Sequence, residues 1–136
     1  MRQRVHGAAE GVAGLADGRH RMSTFRIALA NLPFPATPEE SIALAEQAIA
    51  QASIERAGLI CFPECFIPGY RAIGKLAPPS DPVFLERAWS VIQSAAAKAD
   101  LVVVLGTERV VDGALRITAL VVNRDGTIPA SRTKSS

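Results

Sequence analysis

Cysteine is scarce in this sequence, since Cys61 and Cys65 are the only two among 136 residues. They lie on one short turn of chain, so a disulfide framework is not expected and we predict a reducing, cytoplasmic setting. A metal site is not favoured either, because both histidines, His6 and His20, lie near the N-terminus and far along the chain from these cysteines. We therefore expect no metal and no other cofactor.

An excess of charge of one sign and long apolar runs are also missing. The 15 basic and 13 acidic residues give a formal net charge of +2, which provides no electrostatic reason to expect nucleic acid or an anionic membrane as a partner. No apolar run approaches the ~20 residues that cross a membrane. Apolar residues make up 49% of the chain, which is ample for the core of one ordinary domain.

Residues 1–22 carry neither the apolar segment of a signal peptide nor a regular apolar pattern. Glu10 and Asp17 interrupt what apolar content is present, and the stretch contains no serine, which fits a mitochondrial transit peptide poorly. We predict a disordered extension over residues 1–22, with a natural start at Met22. The folded domain is then expected over residues 23–136.

From Phe25 onward, the predicted order of elements is β-α-β-α-β-β-β. Two helical crossovers imply parallel strands at the beginning, and two tight turns imply antiparallel strands at the end. This predicts an α/β domain with a mixed sheet, helices on one face and an uncovered apolar second face, typical of part of a larger domain. The predicted strands cover residues 25–30, 59–62, 101–105 and 115–122 and a fifth from Thr127, with helices beginning at Thr37–Pro38 and Asp81–Pro82.

Glu64 lies where the second predicted strand leaves the sheet, between Pro63 and the turn residues Pro68 and Gly69. In an open α/β sheet, ligands bind beyond the carboxyl ends of the strands, which is where this carboxylate is expected. Its neighbours are apolar, so we expect the carboxylate to be poorly solvated, which favours proton uptake and suits a general base near neutral pH. The alternative is a carboxylate that only makes structural hydrogen bonds at a strand end.

Three segments in order resemble the nitrilase superfamily of carbon–nitrogen hydrolases, from about Phe25 to the C-terminus. Phe62–Pro63–Glu64, followed by Gly69–Tyr70, resembles the glutamate motif of that superfamily. Gly106–Thr107–Glu108–Arg109 resembles its second glycine/glutamate segment. The last resemblance is to the Asp-Gly turn and lysine motif, carried by Asp125–Gly126–Thr127–Ile128 and Arg132–Thr133–Lys134.

The resemblance implies an α-β-β-α sandwich and a Glu-Lys-Cys triad. By that resemblance, Glu64 is the general base, Lys134 stabilises the tetrahedral intermediate, and Glu108 is a supporting carboxylate that orients the lysine or the substrate. A thiolate attacks a nitrile or amide carbon, ammonia or an amine leaves, and water releases the acyl group. Without the resemblance, Lys134 is a solvated side chain and Glu108 an ordinary ion-pair partner of Arg109 or Arg132.

The nucleophile is the point at which the sequence departs from that pattern. The superfamily's cysteine lies on a later strand beyond the lysine motif, and neither Cys61 nor Cys65 occupies its place. We expect Cys61 to be a small core residue, and Cys65 to point away from the adjacent Glu64 because neighbours on an extended chain face opposite sides. We therefore expect a truncated N-terminal portion of a hydrolase, inactive alone.

Two alternatives to this hydrolase fragment stay open at this stage. The chain could be a non-catalytic interaction module that pairs through its exposed sheet. The missing half could instead come from another polypeptide. In either case, exposed core surface would promote self-association between copies of the chain.

Overall fold

The computed structural model describes residues 4–13, 23–69 and 81–134. Six strands form one sheet in sequence order, and the two helices connect the parallel strands β2, β3 and β4. The remaining neighbours pair antiparallel. The elements are β1 (Arg4–Ala13), β2 (Ser23–Asn31), α1 (Pro38–Ile54), β3 (Leu59–Cys61), α2 (Pro82–Ala99), β4 (Val102–Val111), β5 (Ala114–Val122) and β6 (Ala130–Lys134).

The predicted mixed sheet with two crossover helices is confirmed from β2 to the last strand. The strand directions follow from the connections. A helix returns the chain to the starting end of the sheet, so the next strand runs parallel, whereas a tight turn reverses the chain, so the next strand runs antiparallel. The connecting segment predicted over residues 71–80 lies outside the described residues.

The first strand differs from the sequence prediction. Arg4–Ala13 pairs antiparallel with β2, in a stretch for which the sequence indicated no regular element. Without β1, β2 would be the edge of the sheet, with a row of unpaired backbone N–H and C=O groups. Backbone hydrogen bonds from β1 can pair these groups whatever side chains β1 carries. The composition of residues 4–13 therefore gives no signal for a strand.

Both helices begin at the residues that the sequence predicts. The Thr37 hydroxyl oxygen accepts a hydrogen bond from the Glu40 backbone N–H at 3.1 Å, which is half of the predicted capping box. The Glu40 carboxylate accepts from the Ala36 backbone N–H at 3.3 Å instead of closing the box on Thr37. At the start of α2, an Asp81 carboxylate oxygen accepts from the Val83 N–H at 3.0 Å.

One face of the sheet is buried beneath the two helices. A row of apolar side chains runs straight across four strands on this face, and each of them is at most 2% exposed. Apolar side chains of α1 and α2 pack against that row and complete the core. The row consists of Ala28, Ile60, Val103 and Val122, and the helices contribute Ile42, Ala45, Ala48, Ile49, Leu85, Ala88, Ile92 and Ala96.

The opposite face of the sheet, which we call the open face, is apolar but only partly covered. Along the neighbouring row, Leu29 is 51% exposed, and the other three side chains are half-buried. Within residues 4–13, 23–69 and 81–134, this agrees with the predicted sheet that carries helices on one face. The row consists of Leu29, Cys61, Val104 and Val121.

Candidate active site

After β3, the chain crosses to the neighbouring strand β4 and forms the turn that carries Glu64. The Phe62 N–H donates to the Val104 carbonyl at 2.9 Å, and the Ile67 N–H donates to the Gly106 carbonyl at 3.2 Å. An isolated parallel bridge between Ile67 and Thr107 extends this contact. Both ends of the turn are therefore fastened to β4, and Glu64 lies between them. We call residues 62–67 the glutamate turn.

Gly106 explains how the glutamate turn can lie so close to β4. A Cβ atom at Gly106 would fall 1.9 Å from the Pro63 carbonyl oxygen and 2.7 Å from the Glu64 Cα. Both atoms belong to the backbone, so no side-chain rotation can make room. Successive residues of a strand face opposite sides of the sheet, and Leu105 and Thr107 face the helices. A side chain at position 106 would therefore point to the open face. The absence of a side chain here brings the Glu64 backbone onto the open face.

A chain of hydrogen bonds anchors the far end of the turn from the helix side of the sheet. The Trp89 indole N–H of α2 donates to the Thr107 hydroxyl at 3.1 Å, and this hydroxyl donates to the Ile67 carbonyl at 2.8 Å. Thr107 and Ile67 are fully buried. The sequence predicted Trp89 only as a core anchor. The sequence did carry a signal for this hydrogen bond, because a buried indole N–H usually needs an acceptor.

We expect Thr107→Val to lower the free energy of unfolding by about 2 kcal/mol, because it leaves the buried Ile67 carbonyl and the Trp89 N–H without their partner. Valine has nearly the same shape as threonine, so little packing changes. Urea unfolding followed by circular dichroism measures this loss. Thr127→Val, in an exposed turn, is the control and is expected to cost less, and equal costs would contradict the role of the hydrogen-bond chain.

Glu64 itself is exposed, while the neighbouring Cys65, Phe66 and Ile67 are buried. The predicted burial of this carboxylate is therefore wrong within the described residues. The turn buries its apolar side chains against the sheet, and the carboxylate points out to water because it gains nothing from that packing. Phe62 and Phe66 pack with ring centroids 5.5 Å apart and fill the base of the turn.

Glu108, in contrast, is only 1% exposed. It lies two residues beyond Gly106 on β4, which places it on the same open face as the glutamate turn. Arg109, one of its predicted ion-pair partners, alternates to the other face of β4. A carboxylate buried this deeply is uncommon in proteins unless its charge is paired.

Strand register relates Lys134 to these two glutamates. Lys134 pairs with Ile117, and Ile117 pairs with Glu108, so the three positions form one row across β4, β5 and β6. Two strand spacings separate the first and last positions, or roughly 10 Å between their Cα atoms. The structure thus brings the backbone positions of Glu64, Glu108 and Lys134 to one face. The Lys134 side chain lies outside the described residues.

Neither cysteine has the setting of an activated nucleophile. Cys61 is half-buried on the open face instead of lying in the core as predicted, and burial raises the pKa of its thiol. Cys65 is buried in the glutamate turn, where its backbone adopts a left-handed φ of 54°. A raised pKa leaves less thiolate at neutral pH, so Cys61 is a poor nucleophile.

We expect slow alkylation of Cys61 by iodoacetamide at pH 7, with a rate midpoint above the pH of about 8.5 that is ordinary for a free thiol. The sign follows from desolvation, which disfavours the charged thiolate and moves its formation to higher pH. Rates in a Cys65→Ala background, compared with those of a free cysteine peptide, measure this difference. A midpoint at or below that of the peptide would contradict it.

Two features are absent from the described residues. No group of three or more His, Cys, Asp and Glu side chains there could hold a metal ion. Within the same residues, neither helix is long and apolar enough to cross a membrane.

Comparison with known proteins gives one family match and several similar structures. Residues 26–136 match the carbon-nitrogen hydrolase family. An amidase from Nesterenkonia sp. aligns with a TM-score of 0.68 at 25% identity, over 82% of this chain and 43% of the amidase. A mutant of that amidase, described as belonging to the nitrilase superfamily, aligns with a TM-score of 0.69 at 26% identity, over 82% of this chain and 43% of its own.

A carbon-nitrogen hydrolase from Helicobacter pylori G27 shares the fold, with a TM-score of 0.68 at 16% identity, over 81% of this chain and 39% of its own. No curated protein sequence matches the chain significantly. The chain spans less than half the length of the solved structures that it resembles.

Proposed function

The chain belongs to the carbon–nitrogen hydrolase family, and from that premise we propose that it supplies two members of a Glu-Lys-Cys triad that cleaves the C–N bond of a small amide or nitrile. The observation that carries the proposal is the seating of the glutamate turn on β4 by Gly106. It brings the Glu64 backbone to the face that holds Glu108 and the register position of Lys134. Three separate segments thus converge on one face.

In the proposed reaction, the Glu64 carboxylate accepts the thiol proton as the thiolate attacks the carbonyl carbon. The Lys134 ammonium stabilises the oxyanion that develops, and Glu108 orients the lysine or the substrate. Glu64 then gives the thiol's proton to the amide nitrogen as the tetrahedral intermediate collapses, the C–N bond breaks, and the nitrogen leaves as ammonia. Water then attacks the thioester, which releases the carboxylic acid and restores the thiol.

We assign the nucleophile to a cysteine outside residues 1–136, and neither Cys61 nor Cys65 takes that role. The raised pKa of Cys61 and the burial of Cys65 support this assignment. In a mutant of the Nesterenkonia amidase, the acetamide moiety of fluoroacetamide is added covalently at the active-site cysteine. Residues 1–136 by themselves are then inactive, as a truncated portion of the hydrolase.

The open face supports the same proposal. Its apolar side chains, with Leu29 51% exposed, fit the inner surface of a two-sheet sandwich. The same face also favours a second candidate, a non-catalytic module that pairs two copies through their sheets. Two measurements separate the enzymatic proposal from this second candidate. Analytical ultracentrifugation of residues 1–136 detects a concentration-dependent dimer, and an activity assay of a chain extended beyond Ser136 detects hydrolysis. A dimer in the first measurement without hydrolysis in the second favours the non-catalytic module.

The test of the enzymatic proposal is ammonia release. A complex of a double mutant of the Nesterenkonia amidase with acrylamide makes small primary amides the first substrates to try. Residues 1–136 alone are expected to release no ammonia from acetamide or acrylamide. A hybrid in which the later portion of the Nesterenkonia amidase follows Lys134 is expected to release it. A hybrid with native circular dichroism but no release would contradict the proposal.

A further inference from the structure

The Thr107 hydroxyl has only one hydrogen-bonding arrangement available between its two partners. The Trp89 indole N–H can only donate and the Ile67 carbonyl can only accept. The hydroxyl therefore accepts from the indole at 3.1 Å and donates to the carbonyl at 2.8 Å, and it cannot rotate without losing the second bond. Thr107 thus holds the Ile67 carbonyl in a single direction.

The backbone of Ile67 is held through both of its polar groups. Its N–H donates to the Gly106 carbonyl at 3.2 Å, and its carbonyl accepts from the Thr107 hydroxyl at 2.8 Å. Ile67 is fully buried, so water is not at hand to replace either bond. The direction in which the chain leaves the glutamate turn therefore depends on Thr107.

Glu64 lies at the corner of the glutamate turn, between its two fastened ends. The Phe66 N–H donates to the Pro63 carbonyl at 3.3 Å, so Glu64 and Cys65 are the two central residues of a β-turn. The φ of 54° at Cys65 is costly for a residue other than glycine and persists where the surrounding structure imposes it. The shape of the turn, and with it the direction of Glu64, therefore depends on the bonds at both ends.

Helix α2, which carries Trp89, is itself well fastened on both sides of the indole. Ala88 and Ile92 are fully buried in the core beneath the helix. One turn further along, the Gln93 side chain donates to the Gly126 carbonyl at 3.0 Å and joins the helix to the turn after β5. The indole N–H is therefore presented to Thr107 from a fixed position in the fold.

We propose that Trp89 and Thr107 are positioning residues for the hydrolysis, which hold the Glu64 carboxylate where it can take the thiol proton. The inference rests on the proposed role of Glu64 as the general base. Thr107 and Trp89 lie on the helix side of the sheet and act through the backbone of the glutamate turn. The Glu64 side chain is exposed, so its position is set mainly by that backbone. A displacement of about 1 Å at a reacting group can cost roughly 10²-fold in rate.

Kinetics of the active hybrid with the Nesterenkonia amidase test this inference. Thr107→Val is expected to lower kcat for acetamide roughly 10- to 100-fold while KM changes less than about twofold, because the base moves and the substrate contacts stay. Thr107→Ser keeps the hydroxyl and is expected to keep kcat within about threefold. Trp89→Phe removes the indole N–H but leaves the Thr107–Ile67 bond, so its expected loss is smaller, about three- to tenfold. A kcat within about twofold of the unsubstituted hybrid in Thr107→Val would overturn the proposal.

Ser53→Ala is the matched control for stability. The Ser53 hydroxyl also donates to a backbone carbonyl, that of Ala99 at 3.2 Å, but it joins the ends of α1 and α2, away from the glutamate turn. This substitution is expected to lower the thermal midpoint without lowering kcat, measured where circular dichroism shows every variant to be folded. Equal losses of kcat in Ser53→Ala and Thr107→Val would show a general effect of stability and would refute the positioning role.

Combination with Glu64→Gln shows whether Thr107 acts through Glu64. In a hybrid that already carries Glu64→Gln, Thr107→Val is expected to lower kcat by less than about twofold, since the side chain that it positions can no longer take the proton. Fully additive losses would assign Thr107 another role and refute this inference, while the loss caused by Glu64→Gln alone would still support the proposed function. The two hypotheses can therefore fail separately.

Hydrogen exchange of the 136-residue protein gives a readout that needs no activity. Thr107→Val is expected to speed the exchange of the Phe66 and Ile67 amides at least about tenfold relative to the amides of β5, and Ser53→Ala is not. Unchanged exchange in Thr107→Val would contradict the inference even if the hybrid were inactive. Faster exchange together with an inactive hybrid would overturn the proposed function, and the catalytic importance of Thr107 with it.

Discussion

Gly106→Ala is expected to lower the free energy of unfolding by about 3 kcal/mol or to displace the glutamate turn from β4, because the new Cβ meets backbone atoms. The Pro63 carbonyl oxygen at 1.9 Å and the Glu64 Cα at 2.7 Å can move only if the whole turn moves. Such a movement breaks the Ile67–Gly106 hydrogen bond. Urea unfolding, together with hydrogen exchange of the Ile67 amide, measures both effects.

Gly113→Ala provides the matched control for this prediction. Gly113 has a φ of +78° and no atom within 4 Å of its Cβ position, so an alanine there meets backbone strain but no contact. Its expected cost is about 1 kcal/mol. Equal costs at Gly106 and Gly113, with unchanged exchange of the Ile67 amide, would show that the close approach of the turn to β4 has no energetic importance.

Glu64→Gln is expected to lower kcat by roughly 10²–10⁴-fold in the active hybrid with the Nesterenkonia amidase, because glutamine cannot accept the thiol proton. The same substitution is expected to change the free energy of unfolding by less than about 0.5 kcal/mol, since the side chain is exposed. Ammonia release at saturating acetamide gives kcat, and urea unfolding gives the stability.

Glu46→Gln is the control for the second prediction, because it removes the same charge from the exposed outer surface of α1. Neither kcat nor stability is expected to change measurably. If Glu64→Gln left kcat within threefold of the unsubstituted hybrid, the general-base role of Glu64 would be refuted. A large loss of stability would instead indicate a structural carboxylate.

Much of the fold could be predicted because local chemistry decides it. The Thr37 and Asp81 caps and the spacing of apolar residues set the two helices, and the Asp112–Gly113 turn sets an antiparallel pair. The strand β1 could not be predicted in this way. Its partner is an edge of backbone groups, and backbone pairing depends on what lies beside a strand more than on its composition.

The candidate site, like the fold, could be predicted only in part from the sequence. The residues around Glu64 and Glu108 could be identified from the sequence, but their solvent exposure could not, and the two glutamates have opposite environments. Exposure depends on which neighbouring segment covers a side chain. The glutamate turn buries its apolar residues and leaves Glu64 in water, whereas Glu108 lies buried within the sheet.

The sequence by itself determined the order of strands and helices from β2 onward, the starts of the two helices, and the three segments that carry the family resemblance, because each depends on residues close together in the chain. Only the tertiary structure decided that Gly106 admits the glutamate turn and that Trp89 and Thr107 fasten it. Those contacts join residues far apart in sequence, and their geometry exists only once the sheet and helices have packed together.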